Sequence, residues 1–219
     1  MKKIKNPLIR RIPKELIGDW KKYLVVFLFL VLTIGFVSGM YVANESMITS
    51  ANEGVTKYKQ EDGHFELKKQ ADATLLSAIE TGEKADFKAT KTTLYENFFR
   101  NEEEDYNNDG KKDGTIRVFA KTKDINLACM LQGSFPQKAD EIAIDRMHAD
   151  NVGIKVGDTI TVSGETYKVV GLLAYVNYST LHEKTTDLMF DALKFDVAMV
   201  TQDGFDRLHK SIHYTYCLL

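Results

Sequence analysis

The sequence predicts an α+β extracytoplasmic domain carried on a single N-terminal transmembrane helix. Three observations predict it. Tyr23 to Ala43 is an uninterrupted uncharged stretch, YLVVFLFLVLTIGFVSGMYVA. The charge is split about that stretch, basic before it and acidic after it. Beyond it, short β-branched and aromatic runs alternate with short helical patterns and turn signals.

The apolar stretch is long enough to cross a bilayer. Its residues rise about 1.5 Å each as α-helix, so Tyr23–Ala43 spans about 31 Å, close to the hydrocarbon thickness of a membrane. A helix buried in a soluble core rarely stays apolar on every face for that length. Lys2, Lys3, Lys5, Arg10, Arg11, Lys14, Lys21 and Lys22 precede it against only Glu15 and Asp19, a net +6. The 219-residue chain is −2 overall, so everything after residue 43 carries −8. Basic flanks resist translocation, which places the N-terminus in the cytoplasm and the acidic remainder outside. A cleaved secretory signal is the competing reading. It fits less well, because the apolar stretch is longer than a signal core and Val42-Ala43-Asn44 makes no A-x-A site.

Residues 1–22 read as a basic amphipathic elbow. Pro13 suits a helix start, and Ile9, Ile12, Leu16, Ile17 and Trp20 fall on one face with lysines and arginines on the other. Such a helix lies at the headgroups, with Trp20 as an aromatic anchor to membrane lipid. Within the span, Gly35 and Gly39 make a GxxxG spacing, with Ala43 four residues on, a small-residue stripe that lets a second helix approach. After Asn44 the helix is expected to continue as a stalk over 44–60, where Ile48, Ala51, Val55 and Tyr58 keep a 3–4 spacing. That stripe suits packing on a second stalk helix or on the domain's own core.

The outer domain, 61–219, follows as mixed α and β. Strands are expected over 63–67, 92–99, 115–119, 141–144, 159–162, 167–172 and 195–200. Helical segments are expected over 71–80, 145–151 and 204–209. Ser163-Gly164-Glu165 between two strand runs is a hairpin signal. The acidic balance argues against a nucleic-acid partner. Two widely separated cysteines, Cys129 and Cys217, are no disulfide framework and read as buried free thiols.

One loop is chemically sharp. In Asp105-Tyr106-Asn107-Asn108-Asp109-Gly110-Lys111-Lys112-Asp113-Gly114, oxygen-bearing residues at alternate positions, then a glycine, then a further carboxylate match the first nine positions of an EF-type calcium loop. Asp105, Asn107, Asp109 and Asp113 would offer side-chain oxygens and Lys111 its carbonyl. Ile116 stands where the bidentate glutamate belongs, with Glu102, Glu103 or Glu104 as substitutes from the other side. The same residues also make an ordinary solvated turn.

Catalytic signatures are absent. There is no GxxxxGK[ST], GxSxG, HExxH or CxxC, so no P-loop for ATP and no nucleophile–base set, and the chain is not expected to be an enzyme. His209 and His213 have helical i, i+4 spacing without an evident third ligand.

Four ordered segments carry a resemblance. They are Gly133-Ser134-Phe135-Pro136, Asp140-Glu141-Ile142-Ala143-Ile144, Ile154-Lys155-Val156-Gly157-Asp158-Thr159-Ile160 and Tyr167-Lys168-Val169-Val170-Gly171-Leu172. Together they resemble the MacB-like periplasmic core domain of FtsX/MacB-type ABC transporter permeases. The order of elbow, first membrane helix and outer domain is similar too. The resemblance implies a permease subunit in the cell membrane with several membrane helices, or a second permease copy, working with a separate cytoplasmic ABC ATPase. ATP would be used by that partner and no cofactor by this chain. Family members export, extract or sense substrates, or transmit ATPase motion outward. The family returns to the membrane after its outer domain, so the chain is expected to be an N-terminal portion, truncated near Leu219. The alternative is a single-pass, membrane-anchored binding domain stabilised by calcium.

Overall fold

The computed structural model describes residues 17–81, 93–178, 180–184 and 186–219. Most of the expected elbow, residues 1–16, lies outside these. By internal contacts the chain divides into two compact units, Met1–Glu53 and Gly54–Leu219.

Helix α1 runs from Trp20 to Lys57 without interruption. Its 38 residues span about 57 Å, nearly twice the hydrocarbon core of a bilayer. Within the apolar stretch, the Thr33 hydroxyl is satisfied by donating to the Phe29 carbonyl at 2.8 Å. None of the described residues of α1 is buried, the Ile48, Ala51 and Val55 stripe included. Lys59, at φ +48°, turns the chain out of the helix, and Gln60 N–H donates to the Val55 carbonyl at 3.0 Å.

The second unit contains strands β1 (Gly63–Leu67), β2 (Leu94–Glu96), β3 (Phe99–Asp105), β4 (Gly114–Ala120), β5 (Ala128–Gly133), β6 (Glu141–Asp145), β7 (Thr159–Val162), β8 (Glu165–Tyr175), β9 (Phe195–Val200) and β10 (Tyr214–Leu218). Its helices are α2 (Ala73–Thr81), α3 (Arg146–Val152) and α4 (Gln202–Asp206). A small antiparallel sheet has the order β1-β10-β2. The large sheet has the order β5-β8-β6-β9-β4-β3-β7, and β7 pairs with β8 as well. That extra pairing closes β8-β6-β9-β4-β3-β7 into a six-stranded ring. Closure leaves β5, paired with β8 alone, as the one open edge of this sheet among the described residues.

Strict alternation fills the ring. Ile116, Val118, Ile142, Ile144, Ile160, Val162, Tyr167, Val169, Ala198 and Val200 form one core. Their neighbours Phe119, Ala143, Leu173, Phe195, Val197 and Met199 form a second core on the opposite face. β9 is buried at all six positions, as befits a strand flanked by β6 and β4 and covered on both faces. β6 and β9 are antiparallel, so the helices that follow them, α3 and α4, stand at opposite ends of the ring. Ala149 of α3 and Phe205 of α4 both join the interior core. Asp145 caps α3 by accepting from Met147 N–H, and Gly153, at φ +84°, ends it.

The hairpin joining β7 and β8 turns at Ser163 and Gly164, both at positive φ (48° and 87°), which matches the right-handed strand twist. Within β8 the β6–β8 register slips between Ile142 and Ala143, leaving Val170 as a bulge.

Several expectations are corrected. The strand expected over 92–99 is two: β2 ends at Glu96, and Phe99 opens the separate β3. Residues 100–104, expected to lie outside the strands, belong to β3, with Glu102 and Glu104 facing inward, whereas the acidic loop is strand only at its two end residues, Asp105 and Gly114. β5 and β10 lie outside the expected strands; β10 is the middle strand of the small sheet. Cys217 is a buried free thiol, whereas Cys129 is free and only half-buried, with Tyr58 Oη donating to its sulfur at 2.9 Å.

Candidate functional site

Three ionisable side chains meet at the α3 end of the ring. Glu104 is the penultimate residue of β3 and lies opposite Val162 of β7, so the pleat directs it inward. Asp196 is the second residue of β9, in register with Ile116 of β4, and shares that inner face. His148 comes from the first turn of α3. All three have no exposed surface, and one candidate ligand atom from each lies within 4.8 Å of the others.

The bonds around them are unevenly distributed. His148 Nδ1–H donates to the Ala192 carbonyl at 2.7 Å, which turns Nε2 toward Glu104 Oε1 at 3.3 Å. Asp196 Oδ1 accepts from Val197 N–H at 2.7 Å and Asp145 N–H at 3.2 Å. Among the described residues, Asp196 Oδ2, both Glu104 carboxylate oxygens and His148 Nε2 have no hydrogen-bond partner. Glu102, two residues back on the same face, differs: it accepts from the Ser163 hydroxyl and from Lys210 N–H at 2.9 Å.

Electrostatics follow from that crowding. Burial pushes Asp196 well above the usual carboxylate range; the His148 charge opposes this, and the neighbouring carboxylates of Glu104 and Asp145 reinforce it. For His148, burial disfavours the cation, but the charges of Asp196 and of Glu104, which stands 3.3 Å away, outweigh it and lift the imidazole to about 9. An unpaired buried charge is costly, so the three groups hold one another in place. The Tyr106 ring closes over them, edge-to-face with His148 at 5.8 Å between centroids.

The acidic loop lies at the same end, linking β3 to β4. Asp105 accepts from Asp109 N–H at 3.1 Å and Gly110 N–H at 2.8 Å. Asn107 Oδ1 accepts from Asp109 N–H at 2.9 Å, and Asp109 Oδ1 from Lys111 N–H at 2.9 Å. Asp113 accepts from Tyr106 N–H at 3.1 Å. Asp105, Asn107, Asp109 and Asp113 thus fold the loop on itself, with Gly110 at φ +83° making its tight turn. Among the described residues, the three acidic side chains of the loop do not converge as closely as Glu104, His148 and Asp196 do.

Two sequence-based ligand ideas are corrected. Glu102 and Glu104 point into the ring, and Glu103 reaches Lys210 Nζ at 3.2 Å, so none substitutes for the missing loop glutamate. His209 and His213 share no helix, since α4 stops at Asp206; His213 meets Glu66 at 2.8 Å. The signal for the buried triad was the anomaly of a carboxylate inside an otherwise apolar strand, Phe195-Asp196-Val197-Ala198.

No family model matches the chain, and no curated protein matches it. Among solved structures, it is similar to the extracellular domain of the noncanonic ABC-type transporter YknZ from Gram-positive bacteria. That similarity has 12% identity, covers 72% of this chain and 83% of the other, and has a TM-score of 0.37. It is also similar to the periplasmic region of MacB from Actinobacillus actinomycetemcomitans, with 9% identity, 65% of this chain and 62% of the other covered, and a TM-score of 0.37. The chain therefore covers less than two thirds of that MacB region.

Proposed function

We propose that this chain is the N-terminal portion of the permease subunit of an ABC transporter, which couples a separate cytoplasmic ATPase to an extracytoplasmic domain for export or mechanotransmission. The observation that carries this reading is the unbroken α1. An anchor needs only the length of the bilayer, whereas this helix runs on from Asn44 to Lys57. A stiff rod leaving the membrane is suited to transmitting rigid-body displacement between its ends. The glycine stripe in the span adds to it, since Gly35 and Gly39 have no neighbour within 4 Å of an added Cβ and offer a close-packing face to further permease helices or a second copy. The four segments that resemble the MacB-like core occupy the end of β5, β6, the approach to β7, and β8. The basic N-terminus would face the cytoplasmic ATPase, and residues 44–219 would lie outside the cell membrane. In this reading the chain has no catalysis of its own.

Purifying the full chain from its native membranes in mild detergent tests this. A P-loop ATPase co-purifying in stoichiometric amount, together with polypeptide bearing further membrane helices, is the expected result. Recovery of the chain free of any ATPase overturns the reading.

A second reading is a single-pass, membrane-anchored binding domain stabilised by calcium. The bond from Gly110 N–H to Asp105 Oδ2 at 2.8 Å favours the calcium part, because it arranges the sixth position of the loop about the first. Asp105, Asn107, Asp109 and Asp113 would be the oxygen ligands.

A further inference from the structure

We propose that Glu104, His148 and Asp196 form a buried binding site for a divalent transition-metal ion of the zinc class. The proposal stands independently of the transport reading. It rests first on convergence: one donor atom from each residue lies within 4.8 Å of the others. Bonds of about 2.0–2.1 Å in a tetrahedral site place ligand atoms about 3.3 Å apart. His148 Nε2 and Glu104 Oε1 already stand at that distance, and a carboxylate oxygen of Asp196 lies within 4.8 Å of a donor atom on each.

The second basis is which atoms are spoken for. His148 Nδ1–H is held by the Ala192 carbonyl, the outer-shell bond that fixes the ring of a metal-ligating histidine and presents Nε2. Asp196 Oδ1 is held by two backbone N–H groups, leaving Oδ2 as its single ligand atom. Both Glu104 oxygens are buried and without a partner. Buried polar atoms are almost always satisfied, and Glu102, on the same face of the same strand, obeys that rule. Among the described residues, four of the nine buried side-chain atoms without a hydrogen-bond partner belong to this one cluster.

Charge and donor type select the ion. Binding would displace the protons of His148 Nε2 and Asp196 to solvent, and the neutral imidazole and two carboxylates left behind sum to −2, which a divalent cation cancels in a place where net charge is expensive. Calcium takes six to eight oxygens and magnesium keeps several waters, neither of which suits a nitrogen donor in a closed core. One imidazole and two carboxylates suit zinc, with the second Glu104 oxygen or a single water completing the coordination. The ion would pin β3, α3 and β9 at one end of the ring. Because the site has no exposed surface, the ion would enter as the ring forms.

The test uses the full chain without a histidine tag, produced in zinc-supplemented medium and purified in detergent micelles. We expect elemental analysis to find one zinc per chain after gel filtration. After unfolding in chelator and refolding, we expect a melting temperature several degrees lower that zinc restores. Refolding with Co2+ should give the visible absorption of a four-coordinate ion. Glu104→Gln and Asp196→Asn, each confirmed folded by circular dichroism, should lose the zinc and the absorption. Asp113→Asn, in the acidic loop, should keep both. A cooperatively melting wild-type chain that retains no zinc and shows no zinc-dependent shift overturns the proposal. Undiminished zinc in folded Glu104→Gln overturns it equally.

Discussion

Glu102 and Glu104 lie two residues apart on the inner face of β3, both fully buried, yet only Glu102 has its carboxylate satisfied. Glu102 ties β3 to the β7–β8 hairpin through Ser163 and to the segment after α4 through Lys210. Replacing it by leucine leaves the Lys210 N–H and the Ser163 hydroxyl without their acceptor. Lys210 is exposed and Ser163 half-buried, so water takes over part of what is lost, and we expect about 1 kcal/mol per bond, read as a lowered denaturation midpoint of the full chain in micelles.

His148 and Glu104 should respond with opposite signs once metal has been removed by chelator. His148 is the only base between two buried carboxylates in the triad. His148→Gln strips both of their counter-charge, and breaking a buried pair in this way costs about 3–5 kcal/mol. Glu104→Gln instead relieves the Glu104–Asp196 repulsion, so the chelated variant should melt above chelated wild type. A loss of stability in chelated Glu104→Gln would contradict this electrostatic account.

Gly133 and Gly171 face each other across β5 and β8, and the two strands approach too closely for a side chain at either. A Cβ on Gly171 would lie 2.5 Å from the Ser134 carbonyl oxygen; on Gly133, itself at φ +78°, one would lie 2.2 Å from the Val170 carbonyl oxygen. Both obstacles are backbone, so relief requires moving a strand. Gly171→Ala should cost about 1–3 kcal/mol, and Gly133→Ala at least as much, since it adds a strained φ. Thermal melts of the two variants check the ranking.

This region also separates what the sequence makes legible from what it does not. The β7–β8 hairpin was readable because Ser163-Gly164 is a turn signal between two alternating runs, and β9 because six consecutive buried positions leave an apolar run. β3 was not, since Arg100-Asn101-Glu102-Glu103-Glu104-Asp105 has the composition of a loop. Only tertiary burial of its alternate glutamates makes it a strand, an override of propensity by context. β10 has strand composition, but its partner β1 lies about 150 residues away, and such pairing leaves no local trace. The acidic loop was visible as a motif because its ligands are contiguous. Of the triad only Asp196 stands out in the sequence, because its members lie on β3, α3 and β9, and only ring closure brings them together.

The His64–Glu61 pair gives a pH dependence with a definite sign. The two side chains meet at 2.8 Å, and Asn126 Nδ2 donates to the same glutamate at 2.8 Å. The bond to Glu61 raises His64 above its ordinary 6.5, with burial opposing. For Glu61, burial alone would raise the carboxyl, but bonds from His64, Cys217 and Asn126 hold it below its ordinary 4.5. A raised histidine stabilises fully below 6.5, and that contribution is lost as pH rises through its folded value. A lowered carboxylate stabilises fully above 4.5 and is lost as pH falls. The two windows overlap between these values, so the melting-temperature difference between wild type and His64→Gln should be largest at about pH 4.5–6.5. It should shrink on either side.

Calcium should stabilise the chain modestly if the acidic loop holds it. Extracellular modules bind with dissociation constants of about 10⁻⁴–10⁻³ M, so 1 mM calcium contributes about 0.4–1.4 kcal/mol. Asp109→Ala removes one ligand and the carboxylate that turns Lys111 N–H inward. Its melting temperature should be insensitive to calcium while that of wild type rises. An equal response in both would place calcium elsewhere.

The orientation of α1 is open to a direct measurement. Eight basic residues precede the apolar stretch against two acidic ones, and the chain beyond it is acidic, so the N-terminal end should remain in the cytoplasm. The helix is also about 57 Å long by its residue rise. If Tyr23–Ala43 fills the hydrocarbon, Glu53 and Lys57 stand clear of the outer headgroups, and the polar run from Asn44 to Glu53 is wetted along its length. Single cysteines in a background lacking Cys129 and Cys217 report both points. In intact cells, a membrane-impermeant maleimide should label Glu53→Cys but not Lys3→Cys, and should label both after lysis. Labelling of Lys3→Cys in intact cells would invert the topology. Protection of Glu53→Cys from the reagent in intact cells and in lysates alike would mean that a partner covers the stalk, the outcome that an assembled permease adds to the simple anchor.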